Sequence, residues 1–158
     1  MSATLEAERG TDVSEHQYAT FYVGSLLLGV DIRQVQEINR QLDVTDVPQA
    51  PECVRGVINL RGEVTTVIDL RTILGLEQTA VTRTSRNLIV NSQGESVGFL
   101  VDKISDIVAV QSDQISPAPT NIKGVQGKYF TGVHTLDSEI LVLLNVEEAL
   151  ADRGSEEN

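Results

Sequence analysis

Short runs of alternating apolar and polar positions dominate the chain from Gln17 onward: QYATFYV, SLLLGVDI, GVINL, EVTTVIDL, NLIVN, ESVGFLV, YFTGVHTL and EILVLL. The runs are rich in β-branched, aliphatic and aromatic residues. Turn residues punctuate them at Gly24, from Asn91 to Gly94, and at Asp137 with Ser138, which is the pattern of short strands. Such spacing predicts a mainly β fold, a small sandwich or barrel. Helical spacing is confined to Ile32 to Ile38, Leu70 to Leu74 and Val146 to Ala151, with Asp31, Asp69 and Asn145 placed as N-caps.

The pattern also repeats. LGVDIRQVQEI, Leu28 to Ile38, matches VGFLVDKISDI, Val97 to Ile107, without a gap, so that Gly29, Val35, Glu37 and Ile38 meet Gly98, Ile104, Asp106 and Ile107 at an offset of 69 residues. Pro48 meets Pro117 at the same offset. Further on, GVINL with VIDLRTIL matches GVHTL with LLNVEEAL, Gly56 meeting Gly132 and Asp69 meeting Asn145 at an offset of 76, which places a seven-residue insertion between Pro117 and Gly132. Two β units of this size bury too little surface to stand alone. They are expected to share an apolar seam as two small barrels in one pseudo-symmetric body.

Composition narrows the chemistry. With 12 basic and 23 acidic residues, a net charge of −11, no Trp and 4 % aromatics, the chain lacks the basic, aromatic-studded face of a nucleic-acid binder. One cysteine, Cys53, and two histidines, His16 and His134, provide neither an internal disulfide nor a zinc ligand set, so no metal is expected. No enzyme is expected either. GVQGK, Gly124 to Lys128, has the wrong glycine spacing for a phosphate loop, and Glu63 and Asp69 read better as a turn residue and a helix cap than as a carboxylate pair. Residues 1–16 and 151–158 read as solvated tails flanking a folded unit of 17–150, without a secretory signal, so cytoplasmic residence is expected.

Where the two copies differ, one of them is free to carry a task. Opposite Arg61-Gly62 the second copy has Asp137-Ser138, so the barrel turn does not itself demand an arginine. A solvated turn arginine is the commoner outcome at such a place. The alternative is recognition, since a planar fork of donors suits a partner's carboxylate or backbone carbonyls. PECVRGVINLRGEVTTVIDLR, read with GVDIRQVQEI upstream and VGFLVDKISDIV, ISPAP and YFTGVHTLDSEILVLLNVEEAL downstream, closely resembles the CheW-type adaptors of bacterial chemotaxis over about Gln17 to Leu150.

That resemblance implies two SH3-like five-stranded barrels side by side, no catalysis and no cofactor. It implies an adaptor that couples chemoreceptor signalling tips to the histidine kinase CheA, through that kinase's CheW-like regulatory domain, in arrays at the inner face of the membrane, with other CheW copies as further ring partners. The receptor-binding positions it assigns are Val35, Glu37 and Ile38 on the first short helix, Gly56 and Arg61 around the NLRG turn, and Ile104 from the second copy. By spacing alone Val35, Ile38 and Ile104 are core residues, and Gly56 is a strand bulge or close-packing position. The kinase-binding segment it assigns is Ile115 to Gly124, with Ile115, Pro117, Asn121 and Ile122. The chain departs from the family pattern there, with polar Thr120 and Asn121 where an aromatic is frequent, and also at Thr66 and Cys53. A divergent partner surface leaves a non-flagellar pathway, surface motility or development, as the alternative setting.

Overall fold

The structure, a computed structural model, describes residues 14–151. Two five-stranded sheets account for most of it. The strands are β1 (Glu15–Val23), β2 (Leu26–Asp31), β3 (Val35–Asn39), β4 (Val54–Leu60), β5 (Glu63–Asp69), β6 (Arg86–Ser92), β7 (Glu95–Val101), β8 (Lys103–Gln111), β9 (Asn121–Ile122), β10 (Val125–Gln126), β11 (Phe130–Thr135) and β12 (Ile140–Leu144). Two short helices, α1 (Leu70–Ile73) and α2 (Val146–Ala151), each follow the last strand of a repeat. Most of the two tail segments lies outside the described residues; Glu15 and His16 open β1, and Ala151 ends α2.

The strand orders are β11-β12-β2-β1-β8 and β3-β6-β7-β5-β4. Each sheet therefore takes two strands from one half of the chain and three from the other. The hairpins β1–β2, β4–β5, β6–β7 and β11–β12 lie within halves, whereas β1–β8, β3–β6 and the parallel pairs β2–β12 and β5–β7 join them. Each sheet curls shut through one isolated bridge, Thr45 to Val57 in one and Ser116 to Val133 in the other. These bridges place Thr45 opposite Ser116 at an offset of 71, so Pro48 and Pro117 are not equivalent. Two of the seven inserted residues precede Ser116 and five follow it, in the segment that forms the β9–β10 hairpin.

One helix expectation is corrected. Ile32–Gln34 is a single 3₁₀ turn capped by the Asp31 side chain, and Val35, Glu37 and Ile38 stand on strand β3. A β-bulge explains the misleading period. Val35 faces Val90 and Glu37 faces Ile89, so Gln36 is the extra residue, and Val35 and Ile38 fall on the same side of the sheet three positions apart. The same irregularity in the pairing of β1 with β8 gives Ile104 and Ile107 the same spacing.

The apolar side chains divide as this topology requires. One large cluster draws on both sheets and forms the seam, with Phe21, Leu28 and Val142 from one and Ile68, Leu88 and Phe99 from the other, closed by α1 and α2. Two smaller clusters each belong to one sheet and fill its barrel: Leu27, Val110, Leu141 and Leu143 in the first, Ile58, Leu60, Val67 and Ile89 in the second. Full burial of each such side chain contributes about 1.5–3 kcal/mol. Arg71 of α1 fastens the seam. It donates to both carboxylate oxygens of Asp102 at 3.1 and 2.6 Å and to the Glu77 carbonyl at 2.9 Å, while Asp102 accepts the Gly24 N–H at 2.7 Å.

Gly56 is what lets the second barrel close. Its φ is +148°, and a Cβ there would press on the Thr45 carbonyl, whose carbon lies 2.9 Å away, in the bridge itself. Its mate Gly132 would meet Ile115 Cγ2 at 2.6 Å and the Ser116 carbonyl oxygen at 2.9 Å. Crowding without a positive φ is the lesser burden. Gly56→Ala is expected to cost about 2–4 kcal/mol and Gly132→Ala about 1–3 kcal/mol in urea unfolding; equal costs would remove the backbone contribution at Gly56.

The helix caps form where the sequence places them. Asp69 accepts the Arg71 N–H at 3.0 Å and Asn145 the Glu148 N–H at 3.0 Å. Asp69 is nearly inaccessible, and burial raises its pKa above the ordinary carboxylate range, opposed by the Arg71 N–H and by the Arg55 guanidinium at 3.4 Å. A raised carboxyl pKa contributes stability below the ordinary value that is lost as pH rises through the folded one. Asn also caps well. Asp69→Asn is therefore expected to be at least as stable as the wild type at pH 7, with an advantage that shrinks toward pH 4 in thermal melts. An advantage that grows on acidification would contradict the assignment.

Candidate functional site: the NLRG turn and strand β3

Leu60 pairs with Glu63, leaving a two-residue turn with Arg61 at φ +52° and Gly62 at φ +86°. These are the angles of a type I′ hairpin, which prefers Asn, Asp or Gly at its first position. Asn59 secures the turn by accepting the Gly62 N–H at 2.9 Å. The same device recurs as Asn121-Ile122-Lys123-Gly124, where Asn121 Oδ1 accepts the Gly124 N–H at 3.0 Å and Lys123 has φ +49°. Neither basic residue is there for its backbone preference.

Arg61 has a partner within the chain. Its Nη2 donates to Glu37 Oε1 on β3, in an ion pair whose arginine side chain is 68 % exposed and whose glutamate is 20 % exposed. The pair thus presents the cation outward and keeps the anion beneath it. Glu37 Oε2 accepts from Asn39 Nδ2 at 3.0 Å, and this hydrogen bond, then Arg61, holds the Glu37 carboxyl below its ordinary pKa. The ionised carboxylate, held by two hydrogen bonds, engages the guanidinium through Nη2 and leaves its other donors for a second acceptor.

The other assigned positions are distributed over both barrels. Val35 is half-buried and packs on the seam cluster from β3, and Ile104 does the same from the equivalent place on β8. Ile38 is exposed on β3. Gly56 is buried in the barrel closure and offers no side chain to a partner. In the 115–124 segment, Ile115 packs on the first barrel's interior cluster and Ile122 on the seam, while Pro117 and Asn121 are exposed. Lys123 reaches across to the Ser25 carbonyl at 3.1 Å and ties the β9–β10 hairpin to the β1–β2 turn.

Residues 17–154 match the sequence model of the CheW-like domain. The chain belongs to that family. It is 31 % identical over 149 residues to chemotaxis protein CheW of Klebsiella aerogenes, covering 94 % of this chain and 89 % of that protein. It is 35 % identical over 129 residues to chemotaxis protein CheW of Rhizobium meliloti, covering 80 % and 82 %. Among solved structures, the scaffolding protein TtCheW of Thermoanaerobacter tengcongensis superposes with a TM-score of 0.78 at 26 % identity, over 84 % of this chain and 90 % of that one. The mainly β architecture of two SH3-like barrels and the non-catalytic nature of the family agree with the expectations set by the sequence.

Asn39, Asn87 and Gln41, which support Glu37, escaped the sequence reading. The signal lay in the repeat: Asn39 and Asn87 face each other where the other barrel pairs Val108 with Tyr18.

Proposed function

We propose that this chain is a non-catalytic adaptor that couples chemoreceptor signalling tips to the histidine kinase CheA, with the interleaved barrels of residues 17–150 as the binding unit. The observation that carries the reading is the Arg61–Glu37 pair, an outward-facing cation held at a turn whose backbone does not favour arginine, in a CheW-like chain. A receptor tip is a helical hairpin. Its apolar side chains would be met by Val35, Ile38 and Ile104, and a carboxylate or helix-terminal carbonyl by the remaining donors of Arg61. Arg61 and Glu37 together fix the register.

The kinase contact falls to the 115–124 segment, with Pro117 and Asn121 at the surface and Ile115 and Ile122 anchoring the loop. Working between receptor and kinase places the protein in the cytoplasm at the inner face of the membrane. Among the described residues no helix is long and apolar enough to cross it.

The reading is tested by titrating the purified chain with a soluble chemoreceptor tip fragment and, separately, with the kinase regulatory domain. Each is expected to bind, and each to bind in the presence of the other. Competition between them would contradict distinct receptor and kinase sites, and binding of neither would overturn the adaptor role.

A further inference from the structure

Asn87 is fully buried on β6, in a barrel otherwise filled by Ile58, Leu60, Val67 and Ile89. Its Nδ2 donates to the Gln41 carbonyl at 2.6 Å and to Asn39 Oδ1 at 3.3 Å, yet its own Oδ1 is buried with no partner. An unpaired buried acceptor is destabilising. The barrel does not require it, because the other copy puts Tyr18 and Val108 at the equivalent pair and packs them on its interior cluster. Two amides have been kept where an apolar pair folds the same scaffold.

What the amides do is visible in their remaining bonds. Asn39 Oδ1 also accepts the Gln41 N–H at 3.0 Å, which leaves Asn39 Nδ2 aimed at Glu37 Oε2 at 3.0 Å. Gln41 Nε2 in turn donates to the Asn59 carbonyl at 3.3 Å, and Asn59 caps the turn that carries Arg61. The chain of contacts runs from Arg61 through Glu37, Asn39 and Gln41 back to the same turn. It closes a polar ring of which the arginine is a member, with Asn87 anchoring it from inside the barrel.

We propose that Asn39 and Asn87 are positioning residues for recognition: they orient the Glu37 carboxylate, and through it the Arg61 guanidinium, toward the receptor tip without touching the partner. The inference rests on the receptor-binding reading above and adds two residues that lie behind its surface. Oriented in advance, the arginine loses less rotamer freedom on binding.

The test uses the full chain and Asn39→Val, which copies the residue carried by the other barrel, with Asn39→Val/Asn87→Leu as a second variant that removes both amides together. In the free wild type, the Asn39 side-chain amide signals are expected to follow the titration of Glu37 by NMR. In Asn39→Val the Glu37 carboxyl is expected to titrate at higher pH, closer to an ordinary carboxylate. Affinity for a soluble chemoreceptor tip fragment should fall about threefold to tenfold, the net worth of one hydrogen bond, with binding of the kinase regulatory domain unchanged. The double variant should show the same loss while matching or exceeding the wild type in thermal midpoint, which a purely structural role for the amides would not allow. An unmoved Glu37 titration, or a moved titration with unaltered tip affinity, overturns the proposal. If Arg61→Glu itself binds the tip like the wild type, it is the receptor-binding reading that has failed, and the Glu37 titration separates that failure from this one.

Discussion

Expressed separately, residues 1–80 and 81–158 are expected to show no cooperative unfolding transition and no measurable tip binding. The reason is the strand exchange between the barrels. The first half holds the hairpins β1–β2 and β4–β5 with β3 beside neither, and the second holds β6–β7 and β11–β12 with β8. Isolated hairpins are marginal in water, and each half alone exposes the residues it contributes to the seam cluster, which lie on both sheets. Mixing the two halves should restore a single cooperative melt, since all four pairings between halves then become available. A half that melts cooperatively on its own, or binds the tip tightly, would show that one barrel can be completed without the other's strands.

Arg61→Glu is expected to abolish receptor-tip binding while moving the thermal midpoint little. Its side chain is largely exposed and lies outside all three apolar clusters. Surface substitutions away from the core change stability by about 0.5 kcal/mol or less. The loss of the Glu37 partner is the complication, and a charge exchange resolves it. Arg61→Glu with Glu37→Arg rebuilds an ion pair between β3 and the turn with the opposite sign facing outward. If the arginine serves only its neighbour, the exchange restores binding. If it reads an acceptor on the receptor, the exchange leaves binding lost, which is the expected result in tip titrations.

The sequence makes the architecture readable wherever the two copies agree, because a glycine or cap needed twice is needed by the fold. Gly56 with Gly132 and Asp69 with Asn145 are such pairs, and each has the same task in both barrels. Two features stayed hidden for physical reasons. The bulge at Gln36 puts Val35 and Ile38 three apart on one side of a strand, a period that a helix would also give. Strand exchange leaves no trace in a repeat, since a strand carries the same apolar alternation whichever barrel it completes. The outward-facing arginine was legible as a disagreement between copies. Its support was not, because Asn39 and Asn87 act through hydrogen bonds between strands distant in the chain.

The most direct test of the adaptor reading is a pair of titrations, wild type and Arg61→Glu each against the receptor tip and the kinase regulatory domain, with thermal melts of both proteins alongside. The expected result is loss of tip binding in the variant with kinase binding and thermal midpoint retained. Equal tip binding by the two proteins would contradict it and make the Arg61–Glu37 pair a surface ion pair with no part in recognition.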